Sequence, residues 1–173
     1  MPSGTIKPGR AAADLTMEQL RGWATFGPGV AATWRLGQRS RFSLPSTDLA
    51  VPVARDMAAL WLSHEGIERT PGSDGRDIAL LVVSELVTNA YEHTTTSRII
   101  VRLSRQQGAV LIEVLDTDGT GAPNCRTARD DEDGGRGLLL VRGLAERWGF
   151  HQAEGKGSTV WARIRIFRAM KHA

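Results

Sequence analysis

The segment RDIALLVVSELVTNAYEH, residues 76–93, constrains the fold more than any other stretch. Ala79, Val83, Leu86 and Ala90 recur at helical spacing and form an apolar stripe. Beside it runs a second stripe, which begins with Ile78, Leu81 and Val82 and continues as Glu85, Asn89 and His93 at a strict spacing of four. A helix built this way must lay its apolar stripe on another layer. Its polar stripe then borders that contact instead of facing away from it. A carboxylate at such a border is costly unless something pairs with it. Taken alone, the three polar residues fit either a solvated edge with one buried hydrogen bond or a binding site.

The rest of the chain supplies the other layer. QRSRFSL, from residue 38, reads as a strand. STDLAVPVARDMAALWLSHEG reads as a helix that Ser46 can cap and Gly66 ends. Pro52 is deeper than the favoured first position, so a later start or local strain is expected. PGSDG is a turn before the helix of residues 76–93. RIIVRLSR and AVLIEVLD alternate apolar and polar residues around Gln107-Gly108, the mark of a hairpin. Residues 117–135 are loop, RGLLLVRGLAERWG (136–149) a third helix, and FHQAEGKGSTVWARIRIF a last hairpin turning at Glu154–Gly157. The expected fold is α+β: a two-layer sandwich of a mixed, mostly antiparallel sheet with three helices on one face. The expected organisation is an extension over 1–37, one domain over 38–168 and a tail over 169–173. Within the extension, TMEQLRGW has capping-box spacing at Thr16 and Gln19. Trp23, Phe26 and Trp34 suit either loose packing or an arm that binds a partner or a second copy.

Bulk properties narrow the function classes. A chain of 173 residues can bury a real core, and 41% hydrophobic with 24% charged residues is ordinary for a globular protein. There is no long apolar run and no apolar leader near the start, so no membrane association and a cytoplasmic location are expected. A single cysteine, Cys125, cannot form an internal disulfide. Its loop position fits an inert thiol better than a redox switch. The net charge of +3 suits anionic ligands, yet no basic stripe marks a nucleic-acid binder. In RIRIFRAMKH (163–172) the arginines alternate with apolar residues, as on a strand with a wet face.

Two glycine-rich segments strengthen the binding-site reading. In DTDGTGAP, Asp116 closes a strand, and Gly119 and Gly121 let the backbone turn and approach a ligand. An aspartate fixed there is suited to accept a hydrogen bond from an exocyclic amino group such as that of adenine. In GGRGLLLV, Gly134, Gly135 and Gly137 precede or open a helix whose free N–H groups and dipole favour phosphate. No Gly-Lys-Ser/Thr follows, so this is not a P-loop, and neither segment has dinucleotide-fingerprint spacing.

In order, the chain carries E-x3-N-x3-H on a helix, Asp with Gly-x-Gly after a strand, G-R-G-L opening a helix, and GKGSTVW. It resembles the ATP-binding domain shared by gyrase, histidine kinases and mismatch-repair ATPases, the GHKL superfamily. LLVVSELVTNAYEHT and GGRGLLLVRGLAERWG look most like the small anti-sigma-factor serine/threonine kinases. The resemblance covers about residues 40–167. It implies Glu85 as general base, Asn89 as the residue coordinating Mg2+ between the phosphates, and Asp116 as the adenine reader. It implies Gly135, Arg136, Gly137 and Leu138 as the phosphate-cradling lid and helix start. Thr159 matches a threonine that supports the adenine end, and His93 either contacts nucleotide or holds a structural hydrogen bond. The implied cofactors are ATP and Mg2+. The implied partners are an anti-anti-sigma (STAS-like) protein and a sigma factor, with a homodimer as the assembly.

The resemblance is not uniform. The usual D-x-G-x-G is stretched here, with Asp116 three residues before Gly119. Strand register still favours Asp116 over Asp118. SHEGIERTP (63–71) looks like the phospho-accepting box of histidine kinases, but Gly66 and Pro71 interrupt it and its spacing is too long. The acidic run DDED (130–133) reads as a solvated hinge. Trp61, Trp148 and Trp161 belong to the core or to a dimer face. Three expectations follow: a serine/threonine kinase acting on an anti-anti-sigma protein, a weakly catalytic or non-catalytic ATP-binding module, or, less favoured, a fragment of a two-component kinase.

Overall fold

The structure is a computed structural model, and it describes residues 31–34, 39–67, 74–116, 136–152 and 157–166. Six strands form one sheet: β1 (Ala31–Trp34), β2 (Arg39–Pro45), β3 (Arg98–Gln106), β4 (Ala109–Asp116), β5 (Arg147–Gln152) and β6 (Ser158–Arg165). Their order across the sheet is β1-β2-β3-β4-β6-β5, and every neighbouring pair is antiparallel. The helices are α1 (Ala50–His64), α2 (Gly75–His93) and α3 (Arg136–Leu144). The α+β two-layer sandwich expected from sequence is the fold observed, with the described strands antiparallel throughout instead of mixed.

Period-two patterning decides which sheet face is covered. Phe42 and Leu44 on β2, Ile99, Val101 and Leu103 on β3, Ile112 and Val114 on β4, and Val160, Ala162 and Ile164 on β6 are buried on one face. Against them lie Ala54, Met57, Ala58, Trp61 and Leu62 of α1 and Ala79, Val83, Leu86 and Ala90 of α2. Trp61 is thus core, and Trp148 packs on the core's edge. Among the described residues, no helix is long and apolar enough to cross a membrane.

Three local features differ from the sequence reading. β1 falls inside the stretch read as an extension and pairs with β2 from Ala31–Ser43 to Trp34–Ser40. Four residues are too few to show alternation. TMEQLRGW and the other residues before 31 lie outside the described residues. Helix α1 starts at Ala50 with Leu49 as N-cap and no side-chain capping bond. Ser46 does not cap it; its N–H donates to the Ser97 carbonyl instead, at 3.0 Å. Pro52 is therefore the third helical residue, where the missing N–H costs nothing. Gly66 does end α1, at φ +70°, with Gly66 N–H donating to Ser63 O and Ile67 N–H to Leu62 O.

The third difference is the end of α3. The helix stops at Leu144, and residues 147–149, read as helix, begin β5. Leu138, Val141, Leu144 and Trp148 keep helical spacing across the junction, so the apolar pattern gives no warning. The break shows in the backbone: Ala145 N–H still donates to Val141 O, while Glu146 N–H donates to Arg163 O on β6.

Candidate functional site

The C-terminal half of α2 leans over the adjoining ends of β4 and β6, and a cleft opens between them. Leu86, Ala90, Val114 and Val160 form its apolar floor, and Asn89, His93, Thr94, Asp116 and Ser158 supply its polar groups. Asn89 is half-buried and His93 exposed at the mouth. The Thr94 hydroxyl donates to Ala90 O at 2.6 Å, closing the helix at the cleft's edge. The spacing of four puts these residues on one side of α2, so the polar stripe borders the sheet contact as its sequence pattern requires.

Asp116 is the most buried acid of the cleft, at 8% exposure. Its Oδ1 accepts a hydrogen bond from Ser158 N–H at 3.1 Å, and its Oδ2 accepts one from the Ser158 hydroxyl. A carboxylate has about four acceptor sites, so these two bonds leave capacity for a ligand's donor. The approach of β6 to this acid depends on Gly157. Its φ is +80°, and a Cβ there would stand 2.0 Å from the Asp116 carbonyl oxygen. No other residue type lets the chain begin β6 so close to the end of β4.

Glu85 is half-buried one turn before Asn89 and reaches the opening turn of α3. A Cβ on Gly137 would lie 2.6 Å from Glu85 Oε2, so the glycine leaves room for the carboxylate. The N–H groups of that turn have no partner within the helix and attract anions. An acid capable of taking a proton therefore stands beside an anion-attracting helix start, with an amide one turn away.

The structure brings Asn89, His93 and Asp116 to one cleft, and Glu85 to Gly137. Leu138 packs against the core as part of the α3 seat. Thr159 is elsewhere. It pairs with Leu115 and is buried on the opposite face of the sheet, so it does not touch the cleft. The residue beside Asp116 is Ser158, which sequence reasoning passed over. Counting strand positions back from the Leu115–Thr159 pair would have found it. Gly119, Gly121, Gly135, Cys125 and the DDED run lie outside the described residues, as does the Arg136 side chain.

The residues present suit a magnesium–nucleotide. Among the described residues, no group of three or more His, Cys, Asp or Glu is placed to hold a metal. Mg2+ needs no such cage when substrate phosphates and water largely complete its octahedron. The half-buried Glu85 carboxylate beside Gly137 supplies an oxygen donor at the α3 start.

No curated protein matches this chain. Among solved structures, the histidine kinase domain of the blue-light activated histidine kinase from Erythrobacter litoralis is 27% identical. The match covers 54% of this chain and 45% of that one, with a TM-score of 0.42, so this chain spans less than half that chain's length. The histidine kinase-like ATPase domain family matches residues 44–164, from β2 through β6 and across every cleft residue described above. By that match, the chain belongs to the histidine kinase-like ATPase family.

Proposed function

We propose that this protein binds Mg2+-ATP in the α2–β4–β6 cleft and transfers the terminal phosphoryl group to a serine or threonine of an anti-anti-sigma (STAS-like) protein, sequestering a sigma factor when that protein is absent. The observation that carries this reading is the seat of Glu85 against Gly137, one turn from Asn89, which shares the cleft with Asp116. Phosphoryl transfer needs alignment, charge neutralisation and a base for the incoming hydroxyl. Asp116 and Ser158 would hold the adenine end, the α3 start would hold phosphate, and Glu85 would take the hydroxyl proton. Bound Mg2+ would supply charge neutralisation between the phosphates, with Asn89 as its protein ligand.

His64 supports an acceptor on another protein. It is the last residue of α1, half-buried, at a glycine-capped helix end. That is a poor place from which to receive a phosphoryl group.

The test incubates the protein with γ-labelled ATP, Mg2+ and candidate anti-anti-sigma proteins. Label should pass to serine or threonine. Loss of a general base costs about 10²–10⁴-fold, so Glu85→Gln should lose transfer by that order while still binding ATP. Cys125→Ala should transfer normally. ATP binding with no transfer to any candidate would make the protein a non-catalytic ATP-binding interaction module. No binding of ATP at all would remove the proposal.

A further inference from the structure

Glu85 stands on the seam between two helices. α2 rises from the far end of β6, where Gly75 meets Ile166, to the cleft. α3 runs the other way, from Gly137 beside Glu85 toward Leu144, after which Glu146 N–H donates to Arg163 O near that same far end. The helices therefore pass antiparallel, and Glu85 and Gly137 mark one level of their seam. One turn toward the far end, about 5–6 Å away, Leu81 and Leu140 flank it. Leu81 lies four residues before Glu85 on α2, and Leu140 three residues after Gly137 on α3.

This level of the seam is apolar and reaches solvent. Leu81 is half-buried, Leu140 is 39% exposed and its neighbour Leu139 46%. Leu138, Val141 and Leu144 already seat α3 on the core, so packing does not account for the exposed pair. On the outward side of α3, among the described residues, no atom lies within 4 Å of where a Cβ on Gly143 would stand.

Phosphoryl transfer sets the attacking oxygen roughly in line with the leaving one. Asn89 and Asp116 lie toward the cleft end from Glu85, so ADP leaves on that side. The accepting hydroxyl then approaches from the other side of Glu85, over Leu81 and Leu140. Its oxygen bonds to the γ-phosphorus as the bond to the bridging oxygen of ADP breaks, and its proton passes to the Glu85 carboxylate. In an extended segment, side chains two residues apart share a side and lie about 7 Å apart. With the hydroxyl at Glu85, the next side chain on that side falls on the two leucines.

We infer, on the phosphotransfer reading above, that Leu140 and Leu81 form a specificity site for the acceptor. The accepting serine or threonine lies in an extended segment with a large apolar side chain two positions away, and that side chain seats between the leucines. A polar side chain there loses its water and gains no partner, so the site selects against it.

The test uses the full chain, γ-labelled ATP, Mg2+ and the STAS-like protein that takes up label in the assay above, with the labelled residue located by mass spectrometry. A large apolar residue should stand two positions from it. Leu140→Ala, which keeps helix propensity, should raise KM for that protein about five- to tenfold at unchanged kcat, as loss of docking does. Leu140→Met, which keeps the apolar bulk, should behave as wild type. Leu49→Ala, at a still more exposed leucine before α1, should change nothing. Serine in place of the acceptor's apolar residue should raise KM for the wild type by the same factor, yet add nothing to Leu140→Ala. Mg2+-ATP affinity by calorimetry should be equal in every variant. The inference is overturned by an acceptor without that apolar neighbour, by unchanged KM in Leu140→Ala, or by two losses that simply add. In each of these outcomes label still transfers, so the phosphotransfer reading stands. If no protein takes up label, that reading fails and the specificity site falls with it.

Discussion

Leu115 pairs with Thr159, so one position further the ladder sets Asp116 across from Ser158. A strand's side chains alternate, and adjacent residues therefore serve opposite faces. Ser158 offers Asp116 both a backbone and a hydroxyl donor, while Thr159 faces away from the cleft. Hydrogen bonds to a charged group are worth about 1.5–3 kcal/mol, so Ser158→Ala should weaken ATP binding by about tenfold or more. Thr159→Val should leave affinity within about twofold, as expected for a site without shared partners. Isothermal titration of the two variants decides between them, and a loss confined to Thr159→Val would reverse the assignment. Gly137 gives a second residue-scale prediction. Among the described residues, the one atom a methyl there would crowd closely is the far end of the Glu85 side chain, which can swing aside. Gly137→Ala should therefore shift stability by less than about 1 kcal/mol in urea titration, since alanine suits a helix better. Phosphotransfer should fall all the same, because the carboxylate is re-aimed.

At the scale of elements, the helix of residues 76–93 was the most legible part of the chain, because its two stripes state both what it packs on and where the cleft must be. The Gln107-Gly108 hairpin was equally plain, with Gly108 at φ +66°. The readings that shifted share a physical cause. β1 is too short for a period, Ser46 is drawn to Ser97 by the β2–β3 edge, and Trp148 keeps helical spacing past the true end of α3. Each is decided by pairing across the sheet, which no local pattern contains. Site residues on α2 were legible for the same reason the helix was, whereas Ser158 needed the β4–β6 register. That register also yields a stability prediction. Arg41→Glu converts a like-charge cross-strand pair with Arg102 into an opposite-charge one. Such pairs are worth roughly 0.2–1 kcal/mol, so the urea midpoint should rise slightly, and a fall would show that Arg41 is held by other contacts.

Across the whole molecule, α2 ties the two ends of the sandwich together. Its C-terminal half forms the cleft, while its first residue, Gly75, touches the far end of β6. A Cβ on Gly75 would lie 2.6 Å from Ile166 Cα and 2.7 Å from the Arg165 carbonyl oxygen. Both are backbone atoms, so no side chain can rotate to make room. The helix start or the strand end must shift, and overpacking of that kind costs about 1–3 kcal/mol. From Gly75 to His93 the helix rises 1.5 Å per residue, about 27 Å in all. Between the two ends Val82, Val83, Leu86 and Val87 are buried in the core, which holds the helix along its length. A displacement at Gly75 should therefore be absorbed before it reaches Asn89. Gly75→Ala is expected to lower the urea midpoint clearly while ATP affinity, measured where the variant is fully folded, stays within about twofold. If affinity instead falls in step with stability, α2 moves as a rigid rod, and the geometry of the cleft is set from its far end.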